Sequence, residues 1–517
     1  MAMLNPADTP VTNPVDTSFF LKLFHPDNPA QVRYETIASV VAAAVGGAVI
    51  AQDFNAKGNG TTDDTAALQA ALNTGSDVWL KPGTYRVTGT LNYAAAGQRI
   101  IGTGISDCSI VFANGTQDGL TCNGFNTCSI EGVKLTGSGK TGGALLVVTG
   151  GAYLFAARRI YWSDAFNGLD FNKVNSALVE ASACGGNMTG AWAIRFTGDS
   201  GFKSDVLTLR SVGLANSGGP STFAGILWDS YAHTMELDDV RIVRCGYGIL
   251  TQRSTGSDSL ATPSFLNASK LEIDFPTKEA LLLNYMNDAW ITNLYASGGG
   301  TSTEHGLNIA SACTSIRITS GRISGMSKHG ILAAGTNILI TGLRIYSCSG
   351  AGSGTYSGIY LDTTATDVAV TGCDLGKSSG ETQKYGLEIA AGASRYTYSG
   401  NLVNGNVTGQ ILTQTDLTYL TGGTFRHVFS NAGGAHMHIG GSANPVANYL
   451  RVAGGAAGSA VTLLGEGSDT NIDIAFTPKG TGTMRFGTYT SNADVACNGW
   501  VTIKDSGGTT RKLMTTA

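Results

Sequence analysis

The chain has 517 residues, of which 42% are hydrophobic and only 14% charged, with 71 glycines and a formal net charge of −4. So little charge and so much glycine argue against helical bundles and wholesale disorder, and suit short strands joined by tight turns. No run dense in lysine or arginine offers a nucleic-acid groove, and the small acid excess implies nothing about a charged ligand.

Residues 1–50 read as a small adaptor holding five of the eleven prolines. Within it FFLKLFHP reads as a strand and YETIASVVAAAV as a helix. No basic segment followed by an apolar one marks a signal peptide, and the apolar run from Ile37 to Ile50 is broken by Gly46 and Gly47 and too short to span a bilayer.

The next stretch is AQDFNAKGNGTTDDTAALQAALNTGSDVWLKPGTYRVTGTL. TTDDTAALQAALN carries a helix start: Thr62, Asp63 or Asp64 caps free N–H groups, and Ala67, Leu68, Ala71 and Leu72 form an apolar face. VWLKPGTYRV is a strand, a Pro-Gly turn and a second strand. Asp63 and Asp64 are paired carboxylates, yet capping accounts for both. The series Asp53, Phe54, Ala56, Gly58, Gly60, Asp63, Asp64, Thr65, Ala67, Leu68, Gln69 and Ala71, then Pro82-Gly83-Thr84-Tyr85, closely resembles the opening of the pectate-lyase-like β-helix superfamily. There a D-F-x-A-x-G-x-G-x-x-D-D-T-x-A-[IL]-Q-x-A motif caps the first coil. The resemblance implies a fold and no single reaction, because that superfamily holds lyases, hydrolases and binding proteins.

Repeats follow. HTMELDDVRIVRC from His233, CTSIRITSGRISG from Cys313, TNILITGLRIYSC from Thr336 and TDVAVTGCDLGKS from Thr366 each read as strand, small or acidic turn residue, strand. A Gly-led strand follows each: GILTQ at Gly248, GILAA at Gly330, GIYLD at Gly358 and GLEIA at Gly386, with earlier copies GLDFN at Gly168 and GILWD at Gly225. Roughly twelve units lie between Cys108 and Asp416, which predicts an all-β parallel β-helix; the resemblance implies that it is single-stranded and right-handed. Stacking coils about 4.8 Å apart pairs the backbone along the axis and merges the apolar stripes into one core. Inward positions are Met235, Leu237, Val240 and Ile242 in one unit and Ile338, Ile340, Leu343 and Ile345 in another. The nine cysteines, 108, 122, 128, 184, 245, 313, 348, 373 and 497, are irregularly spaced and mostly inside such strands, so buried thiols are expected, with assembly in a reducing cytoplasm.

Past Asp416 the long repeat stops and short alternating strands lie between Gly-rich turns. IAFTPKGTGT from Ile474 and VTIKDSGGTTRKL from Val501 resemble C-terminal regions of phage tail fibres and spikes, which trimerise or contact a receptor. The expected organisation is an adaptor at 1–50, a capped parallel β-helix at 51–425, and a β-rich trimerisation or receptor-binding region at 426–517.

Hydrolysis of a glycosidic bond wants one carboxyl kept protonated and another ionised. On a β-helix both must point outward. In KLEIDF, Leu271, Ile273 and Phe275 take inward positions and Glu272 and Asp274 the outer face, about 6–7 Å apart. The repeats put Arg241 in Glu272's column on the preceding coil and Tyr295 there on the following coil. That group fits a sugar site, although a solvated strand face with an ion pair is the simpler reading. A second cluster is Glu236, Asp238 and Asp239, with Asp229 as a neighbour; Glu236 faces out, and the two aspartates fall at a turn, where capping competes with catalysis. Asp170, Asp199, Glu304 and Glu388 are further outward carboxylates. Trp228, Tyr231 and Trp290 are candidates to stack on sugar rings, with Trp162 and Trp192 in the same coils; packing at coil corners is the other role open to them.

In their order, adaptor, capped β-helix and fibre-like tail resemble a phage tailspike depolymerase. That resemblance implies a homotrimer on the virion, joined to the phage tail or baseplate through its N-terminus. It would recognise and hydrolyse a host-surface polysaccharide: capsule, exopolysaccharide or O-antigen. A polysaccharide lyase is the alternative, with Arg241, Arg244, Arg317 and Arg322 at hand, as is an adhesin without activity or a structural fibre segment. No D-x-D-x-D-G calcium spacing occurs, and no metal, cofactor, nucleic acid or membrane insertion is expected.

Overall fold

Apolar residues at alternate positions of short strands have to find cover, and here each coil finds it on the next. The computed structural model describes residues 47–413 apart from 217 and 300–303. Beyond these it describes the strands Phe20–His25, Asn28–Thr36, His436–Ile439, Asn448–Ala453, Thr462–Gly467, Gly499–Lys504 and Thr510–Thr515, and a few residues near the last of them. The chain divides into two compact units, Met1–Tyr419 and Leu420–Ala517.

The first unit is a parallel β-helix. One thirteen-stranded sheet takes a short strand from each coil, running from Leu91–Asn92 to Ile411–Thr413, and a twenty-one-stranded sheet takes the rest. From Ser176–Gly185 onward the second sheet's contribution is one long bent strand per coil, for example Ala232–Val243, Ser264–Asp274 and Asn287–Ser297. The bend is a residue in the left-handed region, repeated coil after coil in register: Ala181, Ser211, Asp239, Lys270, Asn293 and Ser320, then Gly342, Gly372 and Gly400. Asp239 is therefore a bend residue, as its sequence context suggests. Left-handed backbone costs side-chain-bearing residues roughly 1–2 kcal/mol. Local hydrogen bonds offset it where a side chain allows: Ser320 Oγ donates to Asn293 Oδ1 at 2.7 Å.

Between the sheets lies a continuous aliphatic core. Met235, Leu237, Val240, Ile242, Ile338, Ile340, Leu343 and Ile345 are all buried, as the repeat predicts. Each such side chain contributes about 1.5–3 kcal/mol of transfer free energy. The eight cysteines among the described residues are buried thiols, and burial pushes Cys108, Cys245, Cys313 and Cys348 up to about 12. Cys497 lies outside the described residues.

The helix Thr65–Leu72 buries Leu68, Ala71 and Leu72 and closes the edge of the thirteen-stranded sheet. Gln69 does the closing: its Oε1 accepts from Asn92 N–H at 2.8 Å and its Nε2 donates to Asn92 O at 3.0 Å, so its amide stands in for a missing strand. Asp63 accepts from Thr65 N–H at 3.1 Å. Asp64, read as a possible cap, makes no side-chain bond to the helix. It is buried and accepts from Lys57 N–H at 2.6 Å and Gly58 N–H at 3.0 Å, tying down the preceding loop.

In the N-terminal segment the expected strand is present, but YETIASVVAAAV does not open as a helix. Tyr34, Glu35 and Thr36 belong to Asn28–Thr36, which pairs antiparallel with Phe20–His25. Those three residues are taken up by the antiparallel register; residues 37–45 lie outside the described residues. The second unit holds an antiparallel three-stranded sheet, His436–Ile439, Asn448–Ala453 and Thr462–Gly467, and a hairpin of Gly499–Lys504 with Thr510–Thr515. The PKGTGT phrase lies outside the described residues.

Candidate active site

The long bent strands carry the carboxylates singled out in the sequence. The register sets Arg241, Glu272 and Tyr295 in one outward column. Arg241 Nε donates to Glu272 Oε2 at 2.9 Å, and the arginine side chain is 65% exposed. On the next coil Arg322 lies over the Tyr295 ring, 4.6 Å from its centre. Asp274, two residues from Glu272, has one carboxylate oxygen buried without a hydrogen-bond partner. Glu236 accepts from Thr208 Oγ at 3.2 Å, Asp238 from Ser269 Oγ at 2.7 Å and Asp239 from Ser211 Oγ at 3.4 Å, all on exposed surface. Asp229 is placed elsewhere, at the end of a strand of the thirteen-stranded sheet, held by Ser230, Gln252 and Ser254.

The aromatics divide. Trp290 is 61% exposed and stands in Glu236's column two coils on. Trp228 does not reach the surface: it alternates inward with Ile226, is fully buried, and its Nε1 donates to Ala232 O at 2.8 Å. Tyr231 is also buried, its hydroxyl donating to Asp258 Oδ2 at 3.0 Å. Neither can stack on a sugar. Phe275, expected inward, is 36% exposed, because its φ of 54° turns the chain out of the strand.

The thirteen-stranded sheet presents a different cluster. Leu281, Leu307, Ile331 and Ile359 pair in succession, so the residues two places earlier, Glu279, His305, His329 and Ser357, form a column on neighbouring coils. Glu279 is 6% exposed. Burial raises its carboxyl above the ordinary range, helped by the charge of Glu304, and Asn308 Nδ2 donates to its Oε1 at 3.5 Å. Glu304 is gripped by Lys328 Nζ at 2.5 Å and Lys278 Nζ at 3.9 Å. The Tyr247 phenol, raised by burial and then by Glu279 and Glu304, stands near both.

Beside them His305 and His329 stack with ring centres 5.3 Å apart and planes 4° from parallel. Tyr360 stacks on His329 at 4.7 Å, and Tyr356 meets it edge-on at 5.1 Å. Burial lowers the two imidazoles to about 3 and about 4. Glu388 accepts from Ser357 Oγ at 2.5 Å and from Lys384 Nζ at 3.0 Å. A carboxyl whose affinity for its proton is raised, next to one held by cations, is the division of labour that general acid–base cleavage of a glycoside requires.

Of the carboxylates read from sequence, Glu304 and Glu388 belong to this cluster. Asp170 lies farther along the same sheet in a two-pronged pair with Arg195, and Asp199 pairs with Lys173. Glu279, His305 and His329 were not anticipated. Their signal is nonetheless present: a polar residue stands just ahead of the leading small residue in EALLL, HGLNI, HGILA and SGIYL. Among the described residues no three His, Cys, Asp or Glu side chains converge as metal ligands.

Comparison with known proteins agrees with the fold. A family model described as rhamnogalacturonase A/epimerase, pectate lyase-like, matches residues 48–123. No curated protein matches the chain by sequence. Among solved structures, tailspike protein 3 of bacteriophage CBA120 is 13% identical with a TM-score of 0.52, over 84% of this chain and 71% of that one. The A-module of a mannuronan C-5 epimerase from Azotobacter vinelandii is 16% identical with a TM-score of 0.46, over 71% of this chain and 97% of that one. At such identities likeness speaks for architecture: the chain carries a parallel β-helix, the fold that this tailspike also uses, and its opening coils match the pectate lyase-like family model.

Proposed function

We propose that this chain is a phage tailspike enzyme that binds and hydrolyses a bacterial surface polysaccharide, with Glu279 as general acid and Glu304 as base or nucleophile. One observation carries the reading: two glutamates on adjacent coils occupy opposed environments, one withdrawn from water, the other clasped by Lys278 and Lys328. Glu279 gives its proton to the glycosidic oxygen as the bond to the anomeric carbon breaks and its electron pair passes to that oxygen. Glu304 either attacks the anomeric carbon itself, giving a glycosyl-enzyme that water hydrolyses as Glu279 takes the water's proton, or takes a proton from a water whose oxygen supplies the new bond.

The family model named for a rhamnogalacturonase and an epimerase supports a polysaccharide substrate, and the fold shared with a phage tailspike supports the setting. With them go a homotrimer on the virion, attachment to the phage tail through the N-terminal region, and action outside the host cell. Labelled protein that stains a bacterial strain identifies the polysaccharide to purify and incubate with the full chain. Reducing ends should rise and viscosity fall. An absorbance rise in the ultraviolet band of unsaturated uronates would reassign the reaction to a lyase, and intact polysaccharide would leave a binding spike without activity.

A further inference from the structure

Two imidazoles lie beside Glu279 and take no part in the acid–base scheme. Their orientation is fixed by the backbone. The N–H of His329 donates to His305 Nδ1 at 3.2 Å, and the N–H of Ser357 donates to His329 Nδ1 at 2.8 Å. His329 Nδ1 also lies 3.3 Å from Ser357 O, but the N–H at 2.8 Å is the closer partner and sets this nitrogen as an acceptor; a nitrogen that accepts a backbone N–H carries no proton of its own, so in each neutral ring the proton sits on Nε2. Among the described residues neither Nε2 has a protein partner, and neither is among the polar atoms sealed from solvent without one. Two N–H donors are therefore open to a ligand, one on each of two successive coils, a step of about 4.8 Å. Stacking on Tyr360 and the edge of Tyr356 hold the His329 ring in place.

The groups around the rings keep them neutral. Burial comes first: for His305 the neighbouring His329 and Lys328 add to it, and for His329 it prevails over the opposite pull of the Ser357 backbone and Glu388, with Lys384 and Lys328 opposing a further positive charge. Those lysines, with Lys278, are engaged by Glu304 or Glu388. The column thus offers neutral donors to neutral hydroxyls in preference to a cation for a carboxylate.

We propose that His305 and His329 form a positioning ladder, two Nε2–H donors that bind hydroxyls of an uncharged sugar ring next to Glu279. The proposal rests on the glycan-cleaving reading above and names the part of the substrate that this face holds. Neither histidine is an acid or a base in the reaction.

The test uses the full-length chain and fluorescently labelled oligosaccharides prepared from the polysaccharide of a strain that the protein stains. In a Glu279→Gln background, His305→Asn and His329→Asn keep an acceptor for the backbone N–H but lose the outer donor. Each should weaken binding about tenfold, the worth of one hydrogen bond. His329→Gln restores a donor and should recover part of the loss. With Glu279 intact, KM should rise by a similar factor in each Asn variant while the limbs of the pH–rate profile stay in place. Unchanged binding, or a pH limb that vanishes with either histidine, would overturn the ladder. Binding lost when the polysaccharide's carboxyl groups are chemically reduced would overturn the uncharged ring. Binding that depends on both histidines without any cleavage would remove the acid–base reading and leave the ladder standing as a receptor site.

Discussion

Glu279 stands across from His305, the residue after Glu304, on the neighbouring coil, and the charge of Glu304 adds to burial in raising the Glu279 carboxyl above its ordinary range. This arrangement ties activity to a stability cost whose sign can be worked out. A group whose affinity for protons is higher folded than unfolded stabilises the fold at low pH, and that contribution is lost as pH rises past its ordinary value toward the raised one.

Glu279→Gln removes the ionisation altogether. The variant should lose about 10²- to 10⁴-fold in cleavage rate, the usual worth of a positioned general acid. It should also melt at or above the wild-type temperature at pH 7.5, with the advantage shrinking as pH falls toward the ordinary glutamate value of about 4.3 and vanishing below it. A melting temperature well below wild type at pH 7.5 would mean that the carboxylate is needed for folding and is not a strained functional group.

The imidazoles act with the opposite sign. Burial lowers His305 to about 3 and His329 to about 4, so the unfolded chain binds protons first, from its ordinary value near 6.5 downward. Their neutral packing contributes stability above that value, and the contribution is lost as pH falls through the window from about 6.5 to about 4. Thermal melts of wild type should decline across that window. The double variant His305→Gln with His329→Gln should show a flatter decline, whatever its starting stability. Parallel curves for the two proteins would contradict the burial of neutral rings.

On the bent-strand face, Arg241 and Glu272 form the ion pair that the repeat alignment puts in one column, but it lies in water. Exposed pairs contribute about 0–1 kcal/mol after screening. A double-mutant cycle with Arg241→Ala and Glu272→Ala should therefore give a coupling energy under ~1 kcal/mol that shrinks further in high salt. A coupling of several kcal/mol, insensitive to salt, would reveal a desolvated pair and restore this column as the stronger site candidate.

Much of the fold is legible in single units of sequence. Met235 and Leu237 alternate, the pattern skips two residues, and Val240 and Ile242 resume it; the skipped pair contains the left-handed Asp239. The capping motif is legible too, although the partners of Asp64 and Gln69 emerge only in three dimensions. Glu279 was missed for a physical reason. Its strand, Leu281–Leu283, is three residues long, so a position two places ahead reads as loop, and its burial comes from residues such as Tyr247 and Asn308 on adjacent coils. Trp228 was misread from the same kind of strand. In Ala224–Trp228 every residue is buried, including those that face away from the core, and composition alone does not tell the two faces apart.

The glycines that lead these strands carry a final consequence. Gly225, Gly248, Gly306, Gly330, Gly358 and Gly386 stand where the inner corner between the sheets leaves no room for a side chain. A Cβ on Gly330 would sit 2.5 Å from Ile345 Cγ2 and 2.6 Å from Gly358 O. Neither the strand carbonyl nor a core isoleucine can withdraw without disturbing the coil above. Gly330→Ala should therefore destabilise the β-helix by about 1–3 kcal/mol through overpacking. In Ile345→Val the contact at Cγ2 persists, so the loss should add to that of Gly330→Ala. In the double variant Gly330→Ala with Ile345→Ala, by contrast, the new methyl occupies part of the vacated space, and the combined loss should be smaller than the sum of the two single losses. Denaturant titration of the four proteins measures the difference. Strict additivity with Ile345→Ala would show that the corner tolerates a methyl, and that the glycine column serves backbone freedom and not close approach.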